Sequence, residues 1–433
     1  MARDNEQILA MLNTISTTIK YLKNNNITAI NQSMAKSFRD IRTSIENLTE
    51  AFYGVKQIDG NHAIDAINNA LNKKSDLTEF YSEFDKLSYI LNGDIDGLEN
   101  APRIIDYHFK RLIMMIQYST KQALLDDIIK KLNGMKYKTR MNYMKLVEHC
   151  SNQSFFWGNL NPDNNDYEAF DKLVTEIKDN INKYTWLYDK LGDYRSKKVL
   201  FGLLKFWTTL DFDAKEAISD RSFEPFFDLD LLKDIDEEGV YVDCGSKDGT
   251  TAEEYINNFR NYKKMYLYEI LPSLSEKAKS RLMGYDNIEF KSEGVGSPTL
   301  TKQTVYIRDA NEYTAFSLKD PDNSAIIDPN EVKGGVPGGL IPANIVTLDH
   351  EISEKITFLK ISVEGSELDV IEGCKNHLKL DRPKVAISAN KSPGSIWEIA
   401  EALLKINGAF KLYLRFSGTH NVYSSSDFVM YAI

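Results

Sequence analysis

The residues best suited to chemistry lie in one stretch, where a short apolar run ends in an acid and two glycines. Val240–Val242 is apolar and β-prone, Asp243 follows it, and Gly245 and Gly249 precede a helical pattern. A strand, a tight glycine turn and a helix start favour nucleotide binding, because helix N-terminal amides and bare backbone let a ligand approach closely. Lys247 takes the approximate place of the middle glycine in the dinucleotide fingerprint. An ordinary strand-to-helix turn is the alternative interpretation.

A second acid follows the next strand pattern. Lys264–Glu269 is typical of a strand that ends in a carboxylate, and Pro272 suits the first turn of a helix. A carboxylate at this point of such a unit can accept both ribose hydroxyls of an adenosine. The other interpretation of Glu269 is a solvated acid at a strand end.

Polar residues also follow a later strand, predicted at Ile356–Ile361. The carboxyl ends of the strands in an open parallel sheet border its ligand crevice. We therefore expect a cluster near the ligand formed by Lys360, Ser362, Glu364 and Glu367.

The elements that must position these residues alternate between strand and helix from residue 239 onward, which predicts an open α/β sheet. Asn287–Lys291 predicts a third strand, and the glycine-rich turn at 292–297 can place backbone beside an adenine ring. The segment 309–342 is interpreted either as a lid or substrate loop or as an inserted loop. Further strands are predicted at Thr304–Arg308, Pro383–Ser388, Lys411–Phe416 and Phe428–Ile433.

The first 180 residues have almost no strand pattern. Apolar positions three and four apart run from Ile8 to Leu22 and from Met34 to Phe52, which is a heptad seam. A helix pair within a bundle and an intermolecular coiled coil both fit this pattern. Further helices are predicted at 62–73, 77–91, 102–132 and 136–149, with Gly134 at a helix end. We expect a helical bundle or coiled-coil domain at 1–180 and an α/β domain at 181–433.

Composition narrows the class of protein. A chain of 433 residues with 42% hydrophobic residues has room for two or three domains. A net charge of −10 without a long basic run argues against a nucleic-acid-binding surface. Three scattered cysteines predict reduced thiols and no metal site, and no apolar run reaches the roughly 20 residues that span a bilayer. Since no hydrophobic signal region follows Met1, we expect a cytoplasmic protein.

Residues 180–433 resemble the FkbM family of S-adenosylmethionine-dependent methyltransferases. The matching stretches are Val242–Gly249, Tyr268–Pro272, Val346–Asp349, Phe358–Leu368, Pro383–Ser388, Ile396–Ile399, Lys411–Arg415 and Tyr431–Ile433. The resemblance implies a class I methyltransferase sheet, S-adenosylmethionine as cofactor, and methyl transfer to oxygen, commonly of a sugar hydroxyl.

The same resemblance implies roles for single residues. It assigns Asp243, Gly245 and Gly249 to the methionine side of the cofactor and Glu269 to its ribose. We place four further residues in the cofactor site, namely Ser246, Lys247, Glu293 and Gly294.

Two departures from the family pattern fall on the side of the methyl acceptor. Ser362 stands where the family has aspartate, and Asn390-Lys-Ser-Pro393 stands where the family often has Tyr-His-Lys-Pro. Histidine is the natural base near pH 7, whereas a lysine must first be desolvated. The candidate catalytic residues are Lys391 and Glu364 as bases, Ser362, and Lys360, which is expected to orient Glu364 or offset developing charge.

The leading hypothesis is an O-methyltransferase acting on a carbohydrate or glycan, with the helical half mediating self-association, partner binding or acceptor binding. The alternative is a protein that keeps the cofactor pocket without transferring methyl groups and acts as a partner-binding subunit of a glycan-modifying system. Lys247 and the family's terminal motifs disfavour a nicotinamide-dependent oxidoreductase.

Overall fold

The computed structural model describes residues 101–152, 154–235, 238–308, 324–327, 340–389, 391–418 and 428–433. The chain divides into two compact units, residues 1–104 and 105–433. The predicted heptad seam from Ile8 to Phe52 and the helices predicted at 62–73 and 77–91 lie outside the described residues. The domain boundary predicted near residue 180 falls inside the second unit and stays a prediction.

Helices precede and flank the sheet. In chain order they are α1 (Ala101–Tyr118), α2 (Lys121–Lys138), α3 (Arg140–Asn152), α4 (Ser154–Trp157), α5 (Glu168–Asp179), α6 (Ile181–Lys190), α7 (Tyr194–Thr209), α8 (Phe212–Glu216), α9 (Leu229–Leu232), α10 (Thr250–Phe259), α11 (Pro272–Arg281), α12 (Leu348–Glu351), α13 (Glu367–Gly373), α14 (Lys375–Leu380) and α15 (Ser395–Ile406).

The strands belong to one large and two small sheets. In chain order they are β1 (Val240–Cys244), β2 (Lys264–Tyr268), β3 (Ile288–Lys291), β4 (Gly294–Val295), β5 (Thr304–Arg308), β6 (Ser324–Ile327), β7 (Leu340–Ala343), β8 (Ile345–Val346), β9 (Ile356–Ile361), β10 (Lys384–Ser388), β11 (Leu412–Phe416) and β12 (Phe428–Ala432).

The large sheet has the order β11-β12-β10-β9-β1-β2-β3. Its strands are parallel except β12, which is antiparallel to both neighbours. The strand order reverses between β1 and β9, so the crevice at this switch point lies beyond their carboxyl ends. The predicted α/β fold with a class I methyltransferase sheet is confirmed, as is a helical region before it.

The alternation of side chains along the strands separates two apolar layers. Val242 and Cys244 belong to a core that also includes buried residues of α1 to α7. Tyr241 points to the opposite layer, where its ring stacks on Tyr255 of α10 with centroids 4.4 Å apart. Each large apolar side chain buried in this way contributes about 1.5–3 kcal/mol, so the helices on both faces hold the sheet in place.

The early helices differ from the prediction at one break and one glycine. The helix predicted at 102–132 ends at Tyr118, and α2 begins after Thr120, whose hydroxyl accepts a hydrogen bond from the Ala123 amide at 3.1 Å. A side-chain cap of this kind starts a new helix because it satisfies an otherwise unpaired amide. Gly134 does not end a helix, since α2 continues to Lys138.

Apolar faces and side-chain hydrogen bonds hold the early helices in the second unit. On α5, Phe170, Leu173, Val174 and Ile177 lie on one face and are buried.

No helix within the described ranges is both long and apolar enough to cross a bilayer.

Candidate active site

The turn after β1 is built around a glycine that no other residue can replace without strain. Gly245 has φ +80°, and a Cβ at this position would lie 2.0 Å from the carbonyl oxygen of Ser362. The Gly245 amide donates to the Tyr268 carbonyl at 2.9 Å, and the Ser362 amide donates to the Cys244 carbonyl at 2.9 Å. The carboxyl ends of β1, β2 and β9 are therefore drawn together at the switch point.

The rest of the turn leads into α10. Lys247 has φ +52° and Gly249 φ +83°, and the Ser246 carbonyl accepts from the Gly249 amide at 2.9 Å. A Cβ on Gly249 would lie 3.1 Å from Ala278 of α11. Gly249 thus serves the close approach of two helices, while Ser246 is buried beneath the turn.

A buried ion pair lies under this turn. Asp243 and Lys360 are almost fully buried, and the Lys360 Nζ lies 2.8 Å from Asp243 Oδ1 while donating to the Gly245 carbonyl at 2.7 Å. Asp243 Oδ2 accepts from the hydroxyls of Tyr241, at 3.1 Å, and Thr251, at 2.5 Å. Asp243 and Lys360 therefore position the turn from behind, and the family's role for Asp243 toward a cofactor stays a prediction.

Glu269 links the turn to the second strand. One carboxylate oxygen accepts from the Lys247 amide and the other from the Leu271 amide, both at 2.9 Å. Burial raises the pKa of Glu269, and the two backbone hydrogen bonds partly offset that rise. Each carboxylate oxygen has acceptor capacity for a further donor, which is the chemistry that a ribose diol requires.

The turn that follows β3 lies beside Glu269, the acid that follows β2. The Gly294 amide donates to the Asn344 carbonyl at 2.8 Å, and Asn344 Nδ2 donates to a Glu293 carboxylate oxygen at 3.2 Å. A Cβ on Gly294 would lie 2.8 Å from the side chain of Ile270, the residue after Glu269. Ile270 is an apolar neighbour of the site that the sequence analysis missed, and its position directly after the acid was the available signal.

A second charged group lies beyond β9. Glu364, at φ +51°, has one carboxylate oxygen 2.6 Å from Lys391 Nζ and the other 3.6 Å from Lys247 Nζ. Burial alone would raise the pKa of Glu364, but the two ammonium groups together hold it below its usual value. The turn carrying Glu364 is fixed by Glu367, whose oxygens accept from the Val363 and Gly365 amides at 3.3 and 2.9 Å.

The candidate catalytic residues Lys360, Ser362, Glu364 and Lys391 therefore separate into two groups. Lys360 contacts Asp243 and Gly245, and Glu364 pairs instead with Lys391 and Lys247. The expectation that Lys360 orients Glu364 is thus corrected, because the strand directs its amine beneath the first turn. Ser362 is buried, and its backbone carries the contact with Gly245.

His149 of α3 lies within electrostatic reach of this second group, and the sequence analysis does not single it out. The pKa of His149 is lowered to about 4, first by burial and then by the charges of Lys215 and Lys391. An electrostatic interaction between residues so distant along the chain leaves no local signal in the sequence. Among the described residues, no three His, Cys, Asp or Glu side chains are arranged to hold a metal ion.

Part of the chain matches a known protein family. Residues 243–414 match the model of the methyltransferase FkbM domain family. No curated protein sequence matches the chain.

Two solved structures resemble the chain. One is a methyltransferase FkbM from Methylobacillus flagellatus KT, at 20% identity and a TM-score of 0.46, covering 60% of this chain and 62% of that one. The other is Aeropyrum pernix fibrillarin in complex with natively bound S-adenosyl-L-methionine, at 11% identity and a TM-score of 0.26, covering 51% of this chain and 74% of that one. This chain thus spans less than two thirds of the Methylobacillus protein. On the strength of the family match, residues 243–414 are a methyltransferase FkbM domain.

Proposed function

We propose that the protein is an S-adenosylmethionine-dependent O-methyltransferase whose acceptor is a hydroxyl of a carbohydrate or glycan. The observation that carries this proposal is the pairing of the Gly245 turn with Glu269 at the switch point of an FkbM domain. The acceptor class rests on the family resemblance alone.

The residues present fit the cofactor by their chemistry. The Glu269 carboxylate offers acceptors for a diol, and Ile270, which packs against Gly294, offers an apolar side chain beside it. The turn at 243–249 would hold the methionine side. S-adenosylmethionine would supply a methyl group on a sulfonium for transfer to a hydroxyl oxygen, with the thioether as leaving group.

The chain must then align the acceptor and accept its proton. Glu364 is ionised near pH 7, because Lys391 and Lys247 lower its pKa, and it is the candidate acceptor of that proton. Lys391 Nζ lies 2.6 Å from the Glu364 carboxylate and donates a hydrogen bond to it. We assign Lys391 to orienting Glu364.

The direct test combines calorimetry with a transfer assay. The full-length protein is titrated with S-adenosylmethionine, and transfer of a radiolabelled methyl group is measured on polysaccharide extracts of the source cells. Saturable cofactor binding with labelling of a glycan fraction is expected. Failure to bind the cofactor would refute the proposal. Labelling confined to protein or lipid fractions would show that the acceptor belongs to that class and is not a glycan.

A second candidate function is favoured by the ion pair of Lys391 with Glu364, which occupies both candidate bases. In this alternative the protein binds the cofactor without transferring methyl groups and acts as a partner-binding subunit of a glycan-modifying system. The transfer assay above distinguishes the two functions, because saturable cofactor binding without labelling of any fraction would support the alternative. If transfer is found, the variants Lys391→Met and Ser362→Asp test the roles of these two residues. Transfer that is unchanged in Lys391→Met would remove this lysine from the mechanism. A gain in Ser362→Asp would indicate that Ser362 limits the rate.

We also propose that the heptad seam from Ile8 to Phe52 mediates self-association or binding of a protein partner. Replacing Ile15 and Ile19 by Asp places charges at seam positions, so a lower solution mass in light scattering is expected. An unchanged mass together with an unchanged melting temperature would refute this role.

A further inference from the structure

The loop between β10 and α15 carries Lys391, and helices α5 and α6 contact this loop from outside the residues that match the FkbM domain. Tyr184 of α6 is fully buried, and its hydroxyl donates to the Pro393 carbonyl at 2.8 Å. On α5, one carboxylate oxygen of Glu176 accepts from the indole Nε1 of Trp397 at 2.9 Å. Since Trp397 lies in the first turn of α15, both the loop and the helix that follows it are attached to the early helices.

The carboxylate of Glu176 fits closely against the end of this loop. A Cβ on Gly394, the residue before α15, would lie 3.1 Å from the oxygen that accepts from Trp397. The other oxygen accepts from Asn180 Nδ2 at 2.8 Å. Hydrogen bonds to a charged acceptor are stronger than those between neutral groups. Glu176 is therefore fixed from the side of its own helix and fixes the loop in turn.

Ser395 connects this attachment to Lys391. The Ser395 hydroxyl oxygen accepts from the Lys391 amide at 3.1 Å, and the same hydroxyl lies 3.1 Å from the carbonyl of Ala389, which directly follows β10. The Lys391 side chain is buried, and its Nζ donates to Glu364 at 2.6 Å. A misplacement of about 1 Å in a catalytic group can cost about a hundredfold in rate. Residues that fix the loop are thus able to control what Glu364 does.

We propose that Glu176 and Tyr184 are positioning residues for methyl transfer, because they hold the loop at which Lys391 orients Glu364. The inference rests on the proposed methyltransferase function, and it adds helices α5 and α6 to the acceptor side of the domain. Both residues act through the loop and not on the acceptor itself. Because they precede residue 243, this support is a property of the chain beyond its FkbM domain.

The rate at which single lysines are modified tests the hold on the loop. The full-length protein is treated by reductive methylation at pH 7.5, and each lysine is followed by peptide mass spectrometry. In Glu176→Ala and in Tyr184→Phe, Lys391 should be methylated at least about fivefold faster than in the wild type, as expected when a hydrogen bond that keeps a segment closed is lost. Lys360 is the internal reference, since it is 2% exposed and Lys391 is 3% exposed. It should stay as protected as in the wild type.

Two further variants separate positioning from a general loss of structure. Glu176→Gln keeps an acceptor oxygen for Trp397 and should restore the protection of Lys391. Glu168→Ala changes a glutamate of the same helix that is half exposed and contacts Asn159 and Lys172, so it should leave Lys391 protected. Unchanged methylation of Lys391 in both Glu176→Ala and Tyr184→Phe would refute the proposal. An equal gain at Lys360, or a Glu176→Gln protein that is methylated as Glu176→Ala is, would also refute it.

Cofactor calorimetry and transfer to the polysaccharide extract connect the position of the loop to the reaction. In Glu176→Ala and Tyr184→Phe the limiting rate of transfer should fall at least about tenfold, while the affinity for S-adenosylmethionine stays unchanged. A wild-type rate in a variant whose Lys391 has lost its protection would refute the positioning role. A wild type that binds no cofactor or transfers no methyl group would instead refute the proposed function, and the methylation rates would still show whether α5 and α6 hold the loop.

Discussion

Glu269 carries the sharpest prediction for a single residue, because its carboxylate joins the first turn to the second strand. Glu269→Ala removes a buried acceptor from the proposed ribose diol and should weaken S-adenosylmethionine binding by about 1–3 kcal/mol. Isothermal calorimetry measures the change. The same variant leaves the Lys247 and Leu271 amides without this acceptor, so its melting temperature must be recorded alongside.

Glu289→Gln is the matched control. Glu289 lies on β3 and pairs with Lys264 at 2.6 Å in a partly exposed position, so its loss should leave cofactor affinity unchanged. A Glu269→Ala protein that is folded and binds the cofactor as the wild type does would move the ribose site elsewhere.

His149 predicts how stability depends on pH. Its folded-state pKa of about 4 lies below the unfolded value near 6.5, so the unfolded chain binds more protons between these limits. The contribution is fully present above pH 6.5 and is lost as the pH falls toward 4. Between pH 7 and pH 5 the wild type should lose about 2 kcal/mol of unfolding free energy from this group alone.

Urea unfolding of wild type and His149→Asn at both pH values checks this expectation. The variant should lose less stability on acidification, whereas His350→Asn, whose ring is 86% exposed, should behave as the wild type does. Equal pH dependence in His149→Asn and the wild type would show that the imidazole is not held neutral by burial.

At the same scale, the sequence predicts site residues where the signal is local. Asp243, Gly245 and Glu269 come at the ends of strand patterns, and the structure places Asp243 and Gly245 at the end of β1, beside the switch point, and Glu269 after the neighbouring strand β2. The contact of Lys360 with Gly245 joins residues 115 positions apart, and no periodicity reports such a contact. The wrong expectation for Lys360 and the omission of His149 both arise because the interacting residues are far apart in the sequence.

At the scale of single elements, replacing each of two glycines by alanine is expected to have opposite effects on stability. Alanine at position 245 would have to adopt a left-handed backbone and would place its methyl group against the Ser362 carbonyl. Gly245→Ala should therefore lower the free energy of unfolding by about 3 kcal/mol or more. Gly134→Ala meets nothing within 4 Å in the interior of α2 and should stabilise the protein by about 1 kcal/mol. Urea midpoints of both variants test the pair, and a Gly245→Ala protein as stable as the wild type would contradict the close approach of β1 and β9.

Strands were easier to predict than helix ends. The predicted strand Ile356–Ile361 matches β9 residue for residue, because buried parallel strands are short apolar runs between polar turns. The break between α1 and α2 depends on a single hydroxyl cap at Thr120, within a stretch whose apolar spacing continues across it. Periodicity therefore predicts that a helix exists better than it predicts where that helix stops.

At the scale of the whole molecule, the early helices belong to the core of the second unit. Phe109, Ile128 and Phe170 are buried in the same cluster as Val242 of β1, and Tyr188 donates to Asp106 at 2.7 Å. A fragment of residues 105–433 should therefore fold cooperatively and bind S-adenosylmethionine. A fragment of residues 181–433 should expose the apolar face that α1 to α5 cover, and it should bind a hydrophobic dye or aggregate.

Near-ultraviolet circular dichroism and urea unfolding of both fragments provide the measurement, with the full-length chain as the control. A cooperative, dye-free transition in the 181–433 fragment would place a folding-domain boundary near residue 180, as the sequence predicts. Failure of the 105–433 fragment to fold would show that the second unit depends on the first.

The placement of β1 between β2 and β9 also constrains the order of folding. The hydrogen bond from Lys247 to Glu269 closes a segment of 22 residues, whereas the bond from Thr357 to Val240 closes one of 117. The longer closure costs about 1.5 kcal/mol more in chain entropy, and contacts so distant in sequence slow folding. We expect β1, β2 and β3 to associate first, so that pulse-labelling hydrogen exchange protects Val242 before Leu359. Simultaneous protection of the two residues would refute this order. Earlier protection of Val242 would mean that the crevice between β1 and β9 is assembled late, after the ribosome has released the residues that form both of its sides.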